Sequence, residues 1–554
     1  MTGHRALFLV VLGSASALLA TTSTTAEDAV RTSYIVEAQS ATAAAKCVSK
    51  AGGRITNELP IINGVSALLT PAQVALLRRQ KGLSLFADST VTNQSSTPYG
   101  TTVGNAPIDP YARSMAGVDG VAAQGLDGSG VTIAVLDSGL SYSNPNINVN
   151  TPWGNKIAAV YDATPGASTK PGYTVDYYGH GVHITTVMTS PDTSITGQPI
   201  GIAPMARLVE VKAFDSNGNS SYATVLNGLN WILAYGAKTY NIRVLNLSFG
   251  AQPQSFYWND PIDQAVMKLW QAGIVVVASA GNYGPNAQTI AVPGNTPYVI
   301  TVGAMTDNWT PNDPSDDGVT SFSSAGPTYE GFVKPEIVAP GGHLVGDMDA
   351  MSMAIPKNHP DFSTRDYNKY VMSGTSQAAA VVSGVVALMI QSNPWLSPDQ
   401  VKCHVIASAA ALIGKNGKAA YSIFQQGAGL VNASNAVYSQ AWNCANSGLN
   451  ISADIAGTAH YGGPARQNPK NGSYYVVDAN GNPMSADGYL WNNNFAKNQG
   501  YLWNNGYLWN NGYLWNNGYL WNNGYLWNNG YLWNQSSVAP ASTPMASESW
   551  NSQE

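Results

Sequence analysis

The sequence predicts an α/β protein built on a mainly parallel sheet flanked by helices, with a small α+β unit before it and a low-complexity repeat tail after it. Three observations lead there. Apolar strand-like runs recur at 131–136, 208–214, 244–247, 274–278 and 299–302, and helical stretches such as 222–235 and 261–272 lie between them. That alternation is the signature of parallel strands joined by helical crossovers. Residues 32–92 carry a compact strand and helix pattern of their own, closed by a polar stretch. Near the end, Gly-Tyr-Leu-Trp-Asn occurs seven times.

At 554 residues the chain has room for two or more domains with sizeable cores. Charged residues are 10% of it, against a usual ~25%. A net charge of -6 speaks against a polyanion-binding role. Residues 1–26 read as a signal peptide. Arg5 is followed by an apolar stretch over 6–20 and then by small residues through Ala26, so cleavage is expected near Ala20 or Ala26 and the product is expected to be secreted, extracellular. The stretch is short for a membrane span, a retained anchor being the alternative, and no other run is long enough to cross a bilayer. The three cysteines form no CxxC pair, which argues against zinc or redox use. An oxidising compartment allows Cys403 to pair with Cys444 and leaves Cys47 over; three free buried thiols are the other reading.

In the unit at 32–92, residues 33–36 read as a strand and 41–51 as a helix ended by Gly52-Gly53. Residues 61–69 read as a strand with a glycine bend. Thr70-Pro71 is an N-cap and first-turn pair opening a helix over 72–79, and 86–91 closes the unit. Residues 93–105 are polar, contain Pro98 and Gly100, and read as a linker. The large domain is expected over 107–443, a Gly/Asn/Ala-rich linker over 445–487, the repeats over 488–534 and a polar tail over 535–554. In an extended repeat, Tyr and Trp share one face, and Asn-Asn-Gly supplies turn chemistry. The repeats therefore suit a self-associating or surface-binding module, a glycan-binding one, or a flexible tail of no fixed structure.

The chemistry gathers at three motifs. Ser373-Gly-Thr-Ser376 precedes a small-residue, apolar helix, so Ser376 lies in a first turn whose free N–H groups and dipole suit an oxyanion. A plain N-cap serine reads the same way in isolation. Asp137 ends the strand at 131–136, and the carboxyl end of a parallel strand is where such folds place their sites; a turn aspartate before glycine is the plainer reading. His180 stands between Gly179 and Gly181. His183, one turn on, has neither an HEXXH pattern nor a nearby acidic ligand and reads as structural.

Aspartate, histidine and serine in that order, 43 and 196 residues apart, resemble the subtilases, the subtilisin-like serine proteases. Further segments carry the resemblance. Ser279-Ala-Gly-Asn282 is similar to the family's oxyanion-hole segment. Leu247-Ser248-Phe249-Gly250 is similar to its substrate-binding edge. Gly201-Ile-Ala-Pro204, Ser321 to Pro327 and Gly427 to Asn432 also fit. The resemblance covers about 107–440 and implies a subtilisin-like fold. It also implies an endopeptidase acting through Asp137, His180 and Ser376, an oxyanion hole with Asn282, and substrate contacts at Ser248, Phe249 and Gly250. It makes 32–92 an inhibitor-type propeptide, the chain's own intramolecular inhibitor. Protein or peptide substrates are implied, with no nucleic acid, no membrane span in the mature form and no organic cofactor. Gln377-Ala-Ala-Ala380 stands where the family usually has Met-Ala-Ser-Pro. Asn146 stands near a calcium-binding aspartate of many subtilisins, so calcium is possible and no metal residue is assigned. Tyr283 and Phe249 suggest apolar substrate side chains. Two rivals remain. One is a catalytically inactive subtilase-fold adhesion or binding protein carrying the aromatic repeats. The other is a serine-carboxyl peptidase, against which the glycines flanking His180 argue.

Overall fold

The computed structural model describes residues 30–93 and 111–484, apart from 153, 168–173, 195–196, 198, 311–312, 365–367, 416–417 and 479–480, together with the backbone of 507–508. The expected signal peptide, most of the linker at 93–105, the polar tail and all but two residues of the repeats lie outside the described residues.

The main sheet has eight strands. From one edge the order is Gly318–Val319, Ile300–Thr306, Val275–Ser279, Ile242–Leu247, Thr132–Asp137, Arg207–Lys212 and Ile157–Asp162, with Ile337–Pro340 also pairing with Ile300–Thr306. Every pairing is parallel except that of Gly318–Val319. The central strand Thr132–Asp137 is buried at all its residues, which is why it reads as a continuous apolar run. All five expected strands are in this sheet. Ile157–Asp162 was not expected, and its half-buried residues give no clear periodicity. Helix Thr375–Ser392 is long and apolar enough to cross a bilayer, but 89% of its apolar window is buried inside the domain, so it is a core helix. Helices Tyr222–Trp231 and Pro261–Gln271 are capped by Ser221 and Asp260, whose side chains accept from N–H groups of the first turn.

The amino-terminal unit is a four-stranded antiparallel sheet, ordered Arg54–Leu59, Gly64–Leu69, Thr32–Glu37 and Ser84–Ala87, carrying helices Ala41–Lys50 and Pro71–Arg78. Thr70 and Gln73 form a reciprocal capping box at the second helix. Val36, Val48, Val65 and Leu77 make a core of its own. Ile35, Leu59, Ile61 and Ile62 instead join the main core. The unit is thus seated on helices Tyr222–Trp231 and Pro261–Gln271. Ile61 N donates to Asn230 Oδ1 (3.0 Å), and Ala223 N donates to Asp88 Oδ1 (2.8 Å). Asp88 therefore places a carboxylate at a helix N-terminus, where the dipole favours it. Ser84–Ala87, not 86–91, closes the unit's sheet; Thr90–Asn93 leaves it and pairs elsewhere.

The expected linker at 445–487 is corrected over its described part. Residues 445–484 contain helix Ile451–Ile455, strand Tyr461–Gly462 and the hairpin of Ala465–Gln467 with Tyr474–Val476. Asp454 is buried and accepts from the Tyr257 hydroxyl (3.0 Å), the Tyr298 hydroxyl and His460 Nδ1 (3.1 Å). Gly463 N donates to Glu330 O (2.8 Å). The large body therefore runs past 443 to 484. A disulfide joins Cys403 to Cys444 at the start of this segment, and Cys47 is free. Tyr507–Leu508, in the repeat that starts at Gly506, pairs antiparallel with Tyr461–Gly462.

Asp454→Ala removes the acceptor of two buried phenols. Each buried polar group left unmatched costs about 1–3 kcal/mol, so urea unfolding should show a loss of roughly 2–4 kcal/mol. Truncation after Met484 should cost less than about 0.5 kcal/mol in the same assay, because it removes only the Tyr507–Leu508 pairing among described contacts.

Candidate active site

Asp137, His180 and Ser376 come from three separate elements. Asp137 is the last residue of Thr132–Asp137. His180 opens helix His180–Thr189 directly after Gly179, whose φ of 110° is left-handed and suits glycine. Gly181 is equally constrained, since a Cβ there would lie 2.5 Å from Gly139 O. Ser376 is the second residue of Thr375–Ser392. All three side chains are fully buried. His180 Nδ1 lies 2.8 Å from Asp137 Oδ1 and 3.0 Å from Oδ2. Ser138 N donates to Asp137 Oδ1 (2.7 Å), and Gly181 N donates to Ser138 Oγ (2.9 Å), which ties the aspartate strand to the histidine helix.

Ser376 Oγ donates to Ser248 O (3.0 Å), while Ser248 Oγ donates to Ser376 O (2.9 Å). Asn246 Nδ2 donates to that same Ser248 hydroxyl (2.9 Å), and Ser383 Oγ donates to Asn246 Oδ1 (2.9 Å). The serine is thereby clamped to the strand end that leads into Phe249–Gly250. Asn282 follows Val275–Ser279 and Gly281. Its Oδ1 accepts from Thr375 N (3.0 Å) and Thr375 Oγ1 (2.8 Å). Two donors on the oxygen fix the plane of the carboxamide and set its NH2 group on the opposite edge.

The expected residues Asp137, His180, Ser376, Asn282, Ser248, Phe249 and Gly250 are therefore brought together. Three further features were not read from the sequence. Thr90–Asn93 lies as the middle strand of a three-stranded antiparallel sheet, between Asn219–Ser221 and Phe249–Gly250. Thr92 pairs with Gly250 and Asn93 with Phe249, and Asn93 N donates to Gly218 O (3.2 Å). Val91, on the same strand, is fully buried. Asn93 Nδ2 reaches Asp137 Oδ1 (2.8 Å) and His180 Nδ1 (2.7 Å). Thr375, the anchor of Asn282, is the third. The alternation of Thr90-Val-Thr-Asn93 was a strand signal, but it was absorbed into the end of the small unit.

Other buried ionisable groups surround the site. Burial, and then the charges of Asp137 and Asp176, push Glu210 well above the usual carboxylate range. Burial also raises Asp176, whose carboxylate accepts from Gly179 N (2.8 Å) and Val182 N (3.0 Å). Lys212 Nζ donates to Val175 O (3.0 Å) and to Ser138 O. His183 Nε2 faces Leu344 O and Tyr370 O at 3.2 Å, and its Nδ1 faces Gln377 Nε2 (3.4 Å). Burial first, and then His180, lower His183 to about 4.

The residues around Asn146 do not fit calcium. Its Nδ2 donates to Asp347 Oδ2 (2.8 Å), and its carbonyl faces the buried Lys156 ammonium (3.3 Å). Lys156 Nζ also donates to Thr189 O and to Pro204 O (3.0 Å). Lys369 Nζ joins Asp347 (2.8 Å) to Asp192 (2.7 Å). Asp347 Oδ1, Asp192 Oδ2 and the Asn146 main-chain carbonyl thus face the chain's own ammonium groups, and Asp347 Oδ2 faces the amides of Asn144 and Asn146. Among the described residues, no group of three or more His, Cys, Asp or Glu is placed to hold a metal.

Residues 128–429, over half of the chain, match the model of the subtilase family. The chain belongs to the subtilase family. Among similar subtilases, serine protease AprX of Bacillus subtilis (strain 168) is 38% identical over 287 residues, which span 50% of this chain and 61% of AprX. Subtilisin E of the same strain is 29% identical over 392 residues, 70% of this chain and 83% of that one. Subtilisin of Bacillus pumilus is 31% identical over 328 residues, 58% and 96%. In fold, the subtilase resembles fervidolysin from Fervidobacterium pennivorans, described as a keratinolytic enzyme related to subtilisin, with a TM-score of 0.57 at 22% identity over 74% of this chain and 61% of that one.

Two predictions follow from the site's supports. Thr375→Val keeps the shape but removes one of the two hydrogen bonds on Asn282 Oδ1. A neutral hydrogen bond of ~1 kcal/mol corresponds to a fall in kcat of about fivefold to tenfold with KM little changed, measured on a small peptide ester. His183 binds its proton more weakly folded, at about 4, than unfolded, at ~6.5. Its contribution to stability is complete above ~6.5 and lost as pH falls toward 4. His183→Gln should therefore flatten the stability curve between pH 6.5 and 4 in denaturant titrations.

Proposed function

We propose that this subtilase is a secreted serine endopeptidase made as a zymogen, which hydrolyses peptide bonds through Asp137, His180 and Ser376 and is activated by removal of its amino-terminal unit. The observation that carries this reading is the strand Thr90–Asn93, threaded antiparallel between two edges and ending at the triad. It lies as an extended substrate would, held by backbone pairing with side chains alternating into pockets.

Ser376 Oγ attacks the carbonyl carbon, and His180 Nε2 takes its proton. Asp137 orients the ring through Nδ1 and stabilises the imidazolium. The oxyanion is received by the Asn282 NH2 group and the Ser376 N–H at the helix N-terminus. His180 then protonates the leaving amine, the C–N bond breaks, and water hydrolyses the acyl ester by the same route. Donors fixed in advance need no reorganisation as charge develops, and the Thr375 hydrogen bonds supply that fixity for Asn282. No organic cofactor enters the scheme. The signal peptide read from residues 1–26 supports secretion. The aromatic repeats are assigned to self-association or surface binding rather than to chemistry.

The end of the strand supports a cut just beyond Asn93. Gly250 pairs with Thr92 and Phe249 with Asn93, and Asn93, beside Asp137 and His180, is the last described residue of that strand. The expected scissile bond is Gln94–Ser95. Mass spectrometry of the purified product should find Ser95 at its N-terminus. Ser376→Ala should accumulate uncut in a host lacking other proteases and should lose labelling by a fluorophosphonate. An active Ser376→Ala protein would overturn the reading.

Deleting 488–554 should leave turnover of small peptides within about tenfold, equivalent to ~1.4 kcal/mol. Steady-state kinetics of the truncated enzyme checks this, and sedimentation beside the full chain reads any loss of self-association.

A further inference from the structure

The side chain of Asn93 is placed where neither seating the strand nor stability requires it. The strand is held by its backbone, through Phe249–Gly250, Asn219–Ser221 and Gly218 O. The Asn93 carboxamide reaches past that ladder into the triad. Its nitrogen stands 2.8 Å from Asp137 Oδ1 and 2.7 Å from His180 Nδ1, which itself is 2.8 Å from the same carboxylate oxygen. The carboxylate decides which way round the amide sits. Ionised Asp137 only accepts, so the NH2 group faces it. The Asn93 carbonyl oxygen is consequently buried with no hydrogen-bond partner among the described residues, a costly arrangement that an apolar residue would avoid.

Catalysis needs His180 to become an imidazolium, with protons on both ring nitrogens. Nδ1 carries its proton already in the neutral base, because Nε2 is the atom that takes the proton of Ser376, and in the imidazolium it also bears part of the positive charge. In this structure that proton would face the positive end of the Asn93 amide at 2.7 Å. Asn93 also competes with His180 for Asp137 Oδ1, an oxygen that already accepts from Ser138 N (2.7 Å). Both effects disfavour a proton on Nδ1, which the ring must carry for Nε2 to act as the base, and both act only while Asn93 occupies the cleft. Two features agree with a disengaged triad. His180 Nε2 has no hydrogen-bond partner among the described residues, and Ser376 Oγ donates to Ser248 O.

We infer that Asn93 is a built-in brake on the chain's own activation: its amide intrudes on the Nδ1–Asp137 contact that readies His180 as a base, slows the first cut and keeps the cleaved amino-terminal segment inhibitory. This rests on the zymogen reading above. Because the strand is part of the same chain, its local concentration is already high, and losing one side-chain contact should not limit its binding. Removing the amide should therefore speed the cut rather than slow it.

The test uses the full chain with Asn93→Ala and Asn93→Leu. The mature enzyme left after a cut beyond residue 93 is identical in all three proteins, so its kcat/KM is an internal control. Pulse labelling in a protease-deficient host gives the rate of precursor loss, and a fluorophosphonate probe gives the rate at which Ser376 becomes accessible. Both variants should process and become labelled about tenfold faster than the parent, a change equivalent to ~1.4 kcal/mol. Unchanged or slower processing in both would overturn the inference, as would failure of both to yield processed enzyme, since Asn93 would then be a support. A parent chain that neither cleaves itself nor takes up the probe would instead overturn the zymogen reading.

Discussion

Burial of helix Thr375–Ser392 is the constraint on which the site depends. Residues 375–390 are all buried, and the helix packs on Ile242–Leu247, Val275–Ser279, Ile300–Thr306 and on helix His180–Thr189. A helix enclosed on so many sides cannot shift without unpacking the domain. Its first turn is tied outward by Thr375 to Asn282, by Ser376 to Ser248 and, about two turns later, by Ser383 to Asn246. Ser376, Asn282 and the strand end at Ser248 are therefore positioned by one rigid object. Small residues allow this closeness. A Cβ at Gly384 would lie 2.6 Å from Ile202, and Ala378, Ala379 and Ala380 add little bulk and no helix penalty.

The departure after Ser376 has a structural counterpart in the same helix. Gln377 lies within 3.4 Å of His183 Nδ1, and His183 reaches two carbonyls of the facing strands Leu344–Asp347 and Lys369–Met372. The two helices that carry His180 and Ser376 are thus joined by a polar contact one residue beyond the serine and three beyond the histidine. An apolar residue at 377 could pack there but could not meet Nδ1. Local sequence marks His183 as structural but cannot show its partner, because 194 residues separate it from Gln377.

What could be read from the sequence was whatever is encoded locally. Asp137 ends an apolar strand, His180 sits between glycines, and Ser376 opens a small-residue helix; each signal fits within ten residues. The main strands were legible because burial on both faces makes them continuous apolar runs. Two parts were illegible for physical reasons. The segment 445–484 is held by Asp454 with Tyr257, Tyr298 and His460, and by backbone bonds to Glu330 and Gly331. Polar burial of that kind leaves no hydrophobic period, so composition suggested a linker. Asn93 fell at the start of a polar stretch, and its partners at 137, 180 and 249 are set by the register of a strand inserted into a distant sheet.

The amino-terminal unit divides its residues between two tasks, and that division bears on how it is held. One face of Thr32–Glu37 contributes Val36 to the unit's own core, while Ile35 on the opposite face joins the main core. A strand with two buried faces couples folding of the small unit to its seat on helices Tyr222–Trp231 and Pro261–Gln271. Glu37 lies in that seat, buried and raised well above the usual carboxylate range by burial, then by Asp260. Asp88 caps Tyr222–Trp231 from outside, and three residues further on Val91 is buried in the cleft. The strand Thr90–Asn93 is therefore presented to Asp137 and His180 by a scaffold docked independently of it. On the proposed zymogen reading, cutting the chain beyond Asn93 would leave those contacts intact, so severing the bond and clearing the cleft would be separate events. The second depends on how firmly the seat, rather than the cut strand, is held.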